Sequence, residues 1–170
     1  ERTILVKHEE YSYSLPDIGE PKWMYVSSLG GNAEEFHTVI EKYLSQHPNI
    51  NLAFQPGTFQ IALGKEKLAG IYKRTSAFFC NKEEAQKILR IEEEDIKKLL
   101  QGIADLGPKI VAVTDGTKGA YAYDGNEMLF IRPYPDPKPP VQRTGAGDAF
   151  SSTFVVGLAI GKSVREALRL

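Results

Sequence analysis

Short apolar runs alternate along this chain with longer stretches in which apolar residues recur every third or fourth position. The short runs predict strands and the longer stretches predict helices. Residues 3–6 and 11–15, joined by a polar link over 7–10, read as a hairpin. Residues 24–26 predict a short buried strand. Asn32 has the side chain of an N-cap, with Glu34 and Glu35 in the first turn behind it. Phe36, Val39, Ile40, Tyr43 and Leu44 then follow at helical spacing. Residues 49–54 predict the next strand, closed by Pro56 and Gly57. Residues 77–80 predict a buried strand ending at Asn81, with helices over 82–90 and 92–106. Residues 110–114 predict a strong strand, and Gly116 and Gly119 bracket a tight turn. Residues 120–123 and 128–131 pair as a hairpin around Asp124 and Gly125. The proline-rich stretch 133–140 is neither helix nor central strand. Helical spacing resumes at Gly145 through Phe150, Phe154, Gly157 and Leu158, and a last helix covers 164–170.

Strands alternating with helices predict an α/β fold with a mostly parallel sheet and helices on both faces. Ligands of such sheets sit beyond the carboxyl ends of the strands. Three segments with candidate chemistry fall there: Asn81 to Glu84, Thr114 to Gly119, and Thr144 to Asp148. No internal repeat or low-complexity tract interrupts the pattern.

At 170 residues the chain suits one domain or most of one. Its first residue is Glu1, so the expectation is a chain that begins inside something longer or has been processed. Lys and Arg number 21 against 22 Asp and Glu, which leaves no global basic field for nucleic acid or an anionic membrane. Any anion must therefore be held by a local site. No apolar run is long enough to span a bilayer. Cys80 is the only cysteine, which excludes an intramolecular disulfide and favours a reducing compartment, with the cytoplasm as the expectation. His8, His37 and His47 are not spaced as a metal cluster.

The strongest local site is at Thr144. Gly145, Ala146 and Gly147 are small residues where a helix begins, and their amides are unpaired at the positive end of its dipole. Such a terminus binds anions. Asp148 beside it would repel a phosphate unless it accepts a proton from a hydroxyl that attacks that phosphate. The alternative is a close-packed helix start with an ordinary first-turn acid. Asn81 and Glu84 sit at cap and third helical position, which gathers both side chains at one end of a helix. Glu84 there suits a water bound to a hard cation; a plain capping arrangement is the alternative. In Thr114-Asp115-Gly116-Thr117-Lys118-Gly119, the glycines let the backbone turn against a ligand, Thr114 offers a hydroxyl and Lys118 a charge. A simple turn between two strands, with Lys118 solvated, explains that segment equally well.

The string Arg143-Thr144-Gly145-Ala146-Gly147-Asp148-Ala149-Phe150 resembles the C-terminal signature of the ribokinase-like carbohydrate kinases, the PfkB family. Asn81-Lys82-Glu83-Glu84 resembles that family's Asn-x-x-Glu motif, and residues 113–120 resemble its nucleotide loop. The resemblance implies a three-layer ribokinase-like fold, of which this is the later part, with residues 1–15 as a lid-like hairpin and 16–170 as the C-terminal part of the kinase domain. It implies Asp148 as catalytic base and the amides of Gly145, Ala146 and Gly147 as the anion hole. Thr114, Gly116, Lys118, Gly119 and Thr144 would contact ATP, and Asn81 and Glu84 would organise Mg2+. The implied partners are ATP and a sugar-type acceptor. A homodimer through the lid, or through an exposed sheet edge, is a further expectation.

The sequence departs from the family pattern in two places. Gln142 stands where the family often carries an acidic or amide residue, commonly Asp, with Arg143 next to it, which argues against a bound monovalent cation. Residues 51–57 replace a family Asp-x-Asn-x-Arg pattern with no basic residue, and no role is assigned to them. The family's sugar-binding Gly-Gly-x-x-x-Asn region lies earlier than anything here, and Leu29-Gly30-Gly31-Asn32 is not equated with it. The expected function is ATP-dependent phosphoryl transfer to a sugar hydroxyl. Fructose, ribose, a phosphorylated hexose, a ketodeoxy sugar acid and a nucleoside all suit as acceptor. The competing readings are a non-catalytic nucleotide-binding or regulatory module, an inactive fragment of the same fold, and an unrelated doubly wound protein with a fortuitous glycine turn.

Overall fold

The computed structural model describes residues 11–135 and 144–170. Its strands are β1 (Trp23–Val26), β2 (Asn51–Phe54), β3 (Thr75–Asn81), β4 (Ile110–Thr114), β5 (Ala120–Tyr123) and β6 (Met128–Ile131). Its α-helices are α1 (Glu34–Gln46), α2 (Thr58–Leu63), α3 (Ala69–Arg74), α4 (Lys82–Leu89), α5 (Ile96–Ala104), α6 (Ala146–Ala159) and α7 (Val164–Ala167). The strands form one sheet in chain order, β1 to β6. The first four are parallel, and β5 and β6 fold back antiparallel.

This order decides which face each helix covers. Strands are added in one direction, and right-handed crossovers then put every connecting helix on the same face. On that face Ile40 and Leu44 of α1, Ile71 and Tyr72 of α3, Ile88 of α4 and the α5 stripe Ile96, Leu99, Leu100, Ile103 pack on Leu52, Phe54, Phe78, Val111 and Val113. Phe54, Phe78 and Tyr72 meet with ring centres 5.5–5.8 Å apart. The alternate residues of the same strands face the other way. There Ala53, Ala77, Ala112, Ala120 and Ala122 are small, so α6 lies close to the sheet. Phe154 of α6 fills the remaining depth, edge-on to Phe79 at 5.4 Å. Two-sided burial explains why β3 reads as a continuous apolar run.

The strands predicted from residue 24 onward, the β5–β6 hairpin and the helix after Thr144 are all present. Several expectations change. Asn32 is not the cap of α1: Ala33 holds that position, and Asn32 Nδ2 instead donates to the Tyr11 carbonyl at 2.8 Å. Residues 11–15, expected as the return strand of a hairpin, carry no regular structure, and residues 3–6 lie outside the described residues. The helix expected over 92–106 starts only at Ile96, because Asp95 caps it by accepting from Lys97 N at 2.9 Å. The acidic run therefore precedes the helix, and its Glu94 pairs with Lys82. The last helix is shorter than expected and begins at a capping box between Ser163 and Glu166. Helices α2 and α3 were not anticipated. Gln142, Arg143 and most of the proline-rich stretch lie outside the described residues.

Candidate active site

The carboxyl ends of β3 and β4 lie side by side, with Asn81 paired in register to Thr114. Asn81 is the last residue of β3 and caps α4. Its Oδ1 accepts from Glu84 N at 2.8 Å, and Glu84 Oε2 accepts in return from Asn81 N at 2.9 Å. The box that the spacing suggested is real, and it holds the Glu84 carboxylate at the carboxyl end of β3. Burial pushes the Cys80 thiol well up, with the nearby Glu84 charge adding to it. A thiol held protonated is no nucleophile.

After Thr114 the chain makes a 3-10 turn over Gly116–Lys118. Lys118 N donates to the Asp115 carbonyl and Asp115 N to the Gly119 carbonyl, each at 2.8 Å. Gly116 and Gly119 have φ of +51° and +112°. At Gly119 a Cβ would also lie 2.3 Å from the Ile131 carbonyl, so this turn has no room for a side chain. Lys118 Nζ stands 3.6 Å from Asp115 Oδ2 and is largely solvated.

Gly145 caps α6 with φ +85°, and its carbonyl accepts the first helical bond, from Ala149 N at 2.9 Å. Residues 144–149 are exposed. A Cβ at Gly145 or Gly147 would meet nothing within 4 Å among the described residues. The positive φ itself favours glycine at Gly145, and among the described residues no close packing requires one at Gly147.

Asp148 lies one turn into α6, and its Oδ1 accepts from Gln55 Nε2 at 2.9 Å. Gln55 follows β2, and its Oε1 accepts from the hydroxyl of Tyr25 on β1. Ser27, Ser28, Gln55, Pro56, Gly57, Thr58, Glu84 and Asp148 line one cleft of about 300 Å³. Glu84 and Asp148, 64 positions apart (148 − 84), thus meet at one opening. Thr114, Gly116, Lys118 and Gly119 do not line it; they stand one strand over, beside Asn81. Gln55 is the site residue that sequence reasoning missed. Its one local signal is position, immediately beyond a parallel strand and ahead of Pro56 and Gly57.

Among the described residues no group of three or more His, Cys, Asp or Glu is placed to hold a metal ion. Glu84 alone would still suit Mg2+, which keeps several waters and takes most remaining ligands from phosphates.

A family model described as pfkB family carbohydrate kinase matches residues 5–170. The chain belongs to the PfkB family. An uncharacterized sugar kinase of Archaeoglobus fulgidus is 30% identical over 120 residues, 71% of this chain and 46% of that protein. A cytidine kinase of Thermococcus kodakarensis is 35% identical over 107 residues, 62% of this chain and 37% of its own length. The structure of Arabidopsis thaliana ribokinase complexed with ribose and ATP aligns with TM-score 0.70 at 21% identity, covering 87% of this chain and 46% of that one. The ribokinase-like fold of this PfkB chain is shown by that likeness. The chain spans less than half the length of each of these three proteins. Among the described residues no helix is long and apolar enough to cross a membrane.

Proposed function

We propose that this segment supplies the phosphoryl-transfer centre of an ATP-dependent kinase acting on a sugar or sugar-like hydroxyl. The observation that carries this reading is the meeting of Glu84 and Asp148 in one cleft beside the open amino end of α6. Asp148 takes the proton of the attacking hydroxyl, an effect of about 10²–10⁴ in rate. The amides of Gly145, Ala146 and Gly147 face the charge that develops on the transferred group; removing one such donor elsewhere costs roughly 3 kcal/mol. Asn81 fixes Glu84, which would hold Mg2+ through water, and the ion would neutralise charge on the phosphates. Thr144 and the loop Thr114, Gly116, Lys118 and Gly119 would carry the nucleotide on the α6 and β4 sides. The names of relatives, a cytidine kinase and an ATP-dependent 6-phosphofructokinase among them, support a sugar-bearing acceptor.

The test is turnover of Mg-ATP by the intact protein against ribose, cytidine, fructose and fructose 6-phosphate. Acceptor-dependent ADP release is expected. ATP binding without turnover on any acceptor would favour a regulatory module instead.

A further inference from the structure

We propose that Gln55 is a positioning residue for the Asp148 carboxylate, and that Tyr25 sets the orientation of Gln55. This rests on the reading of Asp148 as base.

The backbone of Gln55 is fixed from both sides. Its N–H donates to the Val26 carbonyl at 2.9 Å, extending the β1–β2 pairing by one residue. Pro56 follows, which restricts the residue before it to extended conformations. The side chain therefore leaves the sheet in a set direction, across the end of β1 toward α6.

The amide has one accepting end and one donating end. The Tyr25 hydroxyl donates to Oε1, which leaves Nε2 for Asp148 Oδ1 at 2.9 Å. The reverse orientation would set Oε1 against a carboxylate oxygen, with no proton between them. Tyr25 suits its part, because burial raises its hydroxyl above the ordinary value and keeps it protonated, hence a donor. The neighbouring Asp148 charge adds to that shift, and the Ser151 side chain opposes it. Ser151 is anchored on α6 itself, donating to the Gly147 carbonyl at 2.8 Å. Residues from β1, the end of β2 and α6 thus close one chain of hydrogen bonds: Tyr25, Gln55, Asp148.

Asp148 needs such a tie. It stands on the exposed first turn of α6, where a short carboxylate samples several rotamers. A bond to Oδ1 selects one of them and leaves Oδ2 for the hydroxyl proton. Catalytic groups misplaced by about an ångström lose roughly a hundredfold in rate.

The experiment compares Gln55→Leu, Gln55→Glu, Tyr25→Phe, Asp148→Asn and the double variant Gln55→Leu/Asp148→Asn in the intact protein. Each is assayed with Mg-ATP and the fastest acceptor among ribose, cytidine, fructose and fructose 6-phosphate. Gln55→Leu should lower kcat about tenfold to a hundredfold with KM for ATP within about twofold. Gln55→Glu, nearly the same shape but lacking the donor, should lose at least as much, and Tyr25→Phe less. The double variant should be no slower than Asp148→Asn, because Gln55 acts only through Asp148. Unchanged kcat in Gln55→Leu, or in Gln55→Glu if the first does not fold, overturns the proposal. So do losses that multiply in the double variant. If Asp148→Asn alone leaves kcat intact, or no acceptor is turned over, the base reading itself fails and this proposal with it.

Discussion

Asn81 and Glu84 bond to each other twice, side chain to backbone in both directions, at 2.8 and 2.9 Å. The pair is therefore both a helix cap and the expected metal motif, and substitutions separate the two roles. Glu84→Gln keeps a side chain that completes the box but removes the charge. Its stability should stay within about 0.5 kcal/mol of the parent, while the Mg2+ concentration for half-maximal turnover rises several-fold. Asn81→Ala should cost about 1 kcal/mol by loss of the cap. Chemical denaturation and a Mg2+ titration of the rate check both.

Two glycines should respond in opposite ways. Gly119→Ala forces a Cβ to 2.3 Å from the Ile131 carbonyl at φ +112°, and should cost about 1–3 kcal/mol or more as β6 shifts. Gly147→Ala meets no described atom and sits in a helix, so stability should hold or rise by up to about 1 kcal/mol. Its kcat should nevertheless fall, because the new methyl stands before the amides proposed to face phosphate. A variant that is as stable as its parent and as fast would remove the anion-hole role. Thermal melts and steady-state rates on the same samples read both.

The pH dependence of stability should carry the mark of His37. Gln60 Oε1 accepts from Gly57 N at 2.8 Å and Leu29 N at 3.3 Å, so its Nε2 is left to donate to His37 Nε2 at 3.1 Å. Nε2 must then be unprotonated. Among the described residues Nδ1 has no partner of hydrogen-bond geometry, although the Ala33 and Glu34 carbonyls lie near enough to oppose the shift. Burial pushes His37 below its ordinary value, the Glu41 and Glu34 charges offsetting only part. An unfolded His titrates near 6.5, so below that pH the unfolded chain binds the extra proton first. Stability is fully present above about pH 6.5 and is lost as pH falls toward the lower folded value. His37→Leu should be about 1–3 kcal/mol less stable at pH 8, with Gln60 unpaired, and should lack the decline between pH 6.5 and 5. Denaturation midpoints across pH 5–8 decide it.

How much of this was legible in the sequence depended on how local each signal is. The β3 run Thr75–Asn81 and the α5 stripe carry their periods within one element, and the Asn81–Glu84 box needs only four consecutive residues. Helices α2 and α3 have six residues each, too few to display a helical repeat. Gln55 was opaque for a different reason: its partner on α6 is 93 positions away, and only the finished sheet puts them together. The space that the described residues leave at Gly145 and Gly147 was likewise invisible, since a tightly packed glycine and a loosely packed one look alike in a string of letters.

β1 pairs only with β2, so its outer edge has no strand partner among the described residues. Val156 of α6 and Ile160, which caps that helix, are 57% and 66% exposed on the opposite face of the sheet from α1. An open edge and bare apolar side chains favour association. Residues 1–170 expressed alone should self-associate, or melt over a broad range. Sedimentation velocity with a thermal melt is the check, and a monomer with a sharp cooperative transition contradicts the expectation.

The most direct measurement is the rate of Asp148→Asn in the intact protein with Mg-ATP and its acceptor. A kcat lower by about 10²–10⁴ is expected, with ATP affinity and melting midpoint unchanged. Turnover equal to that of the parent would contradict it.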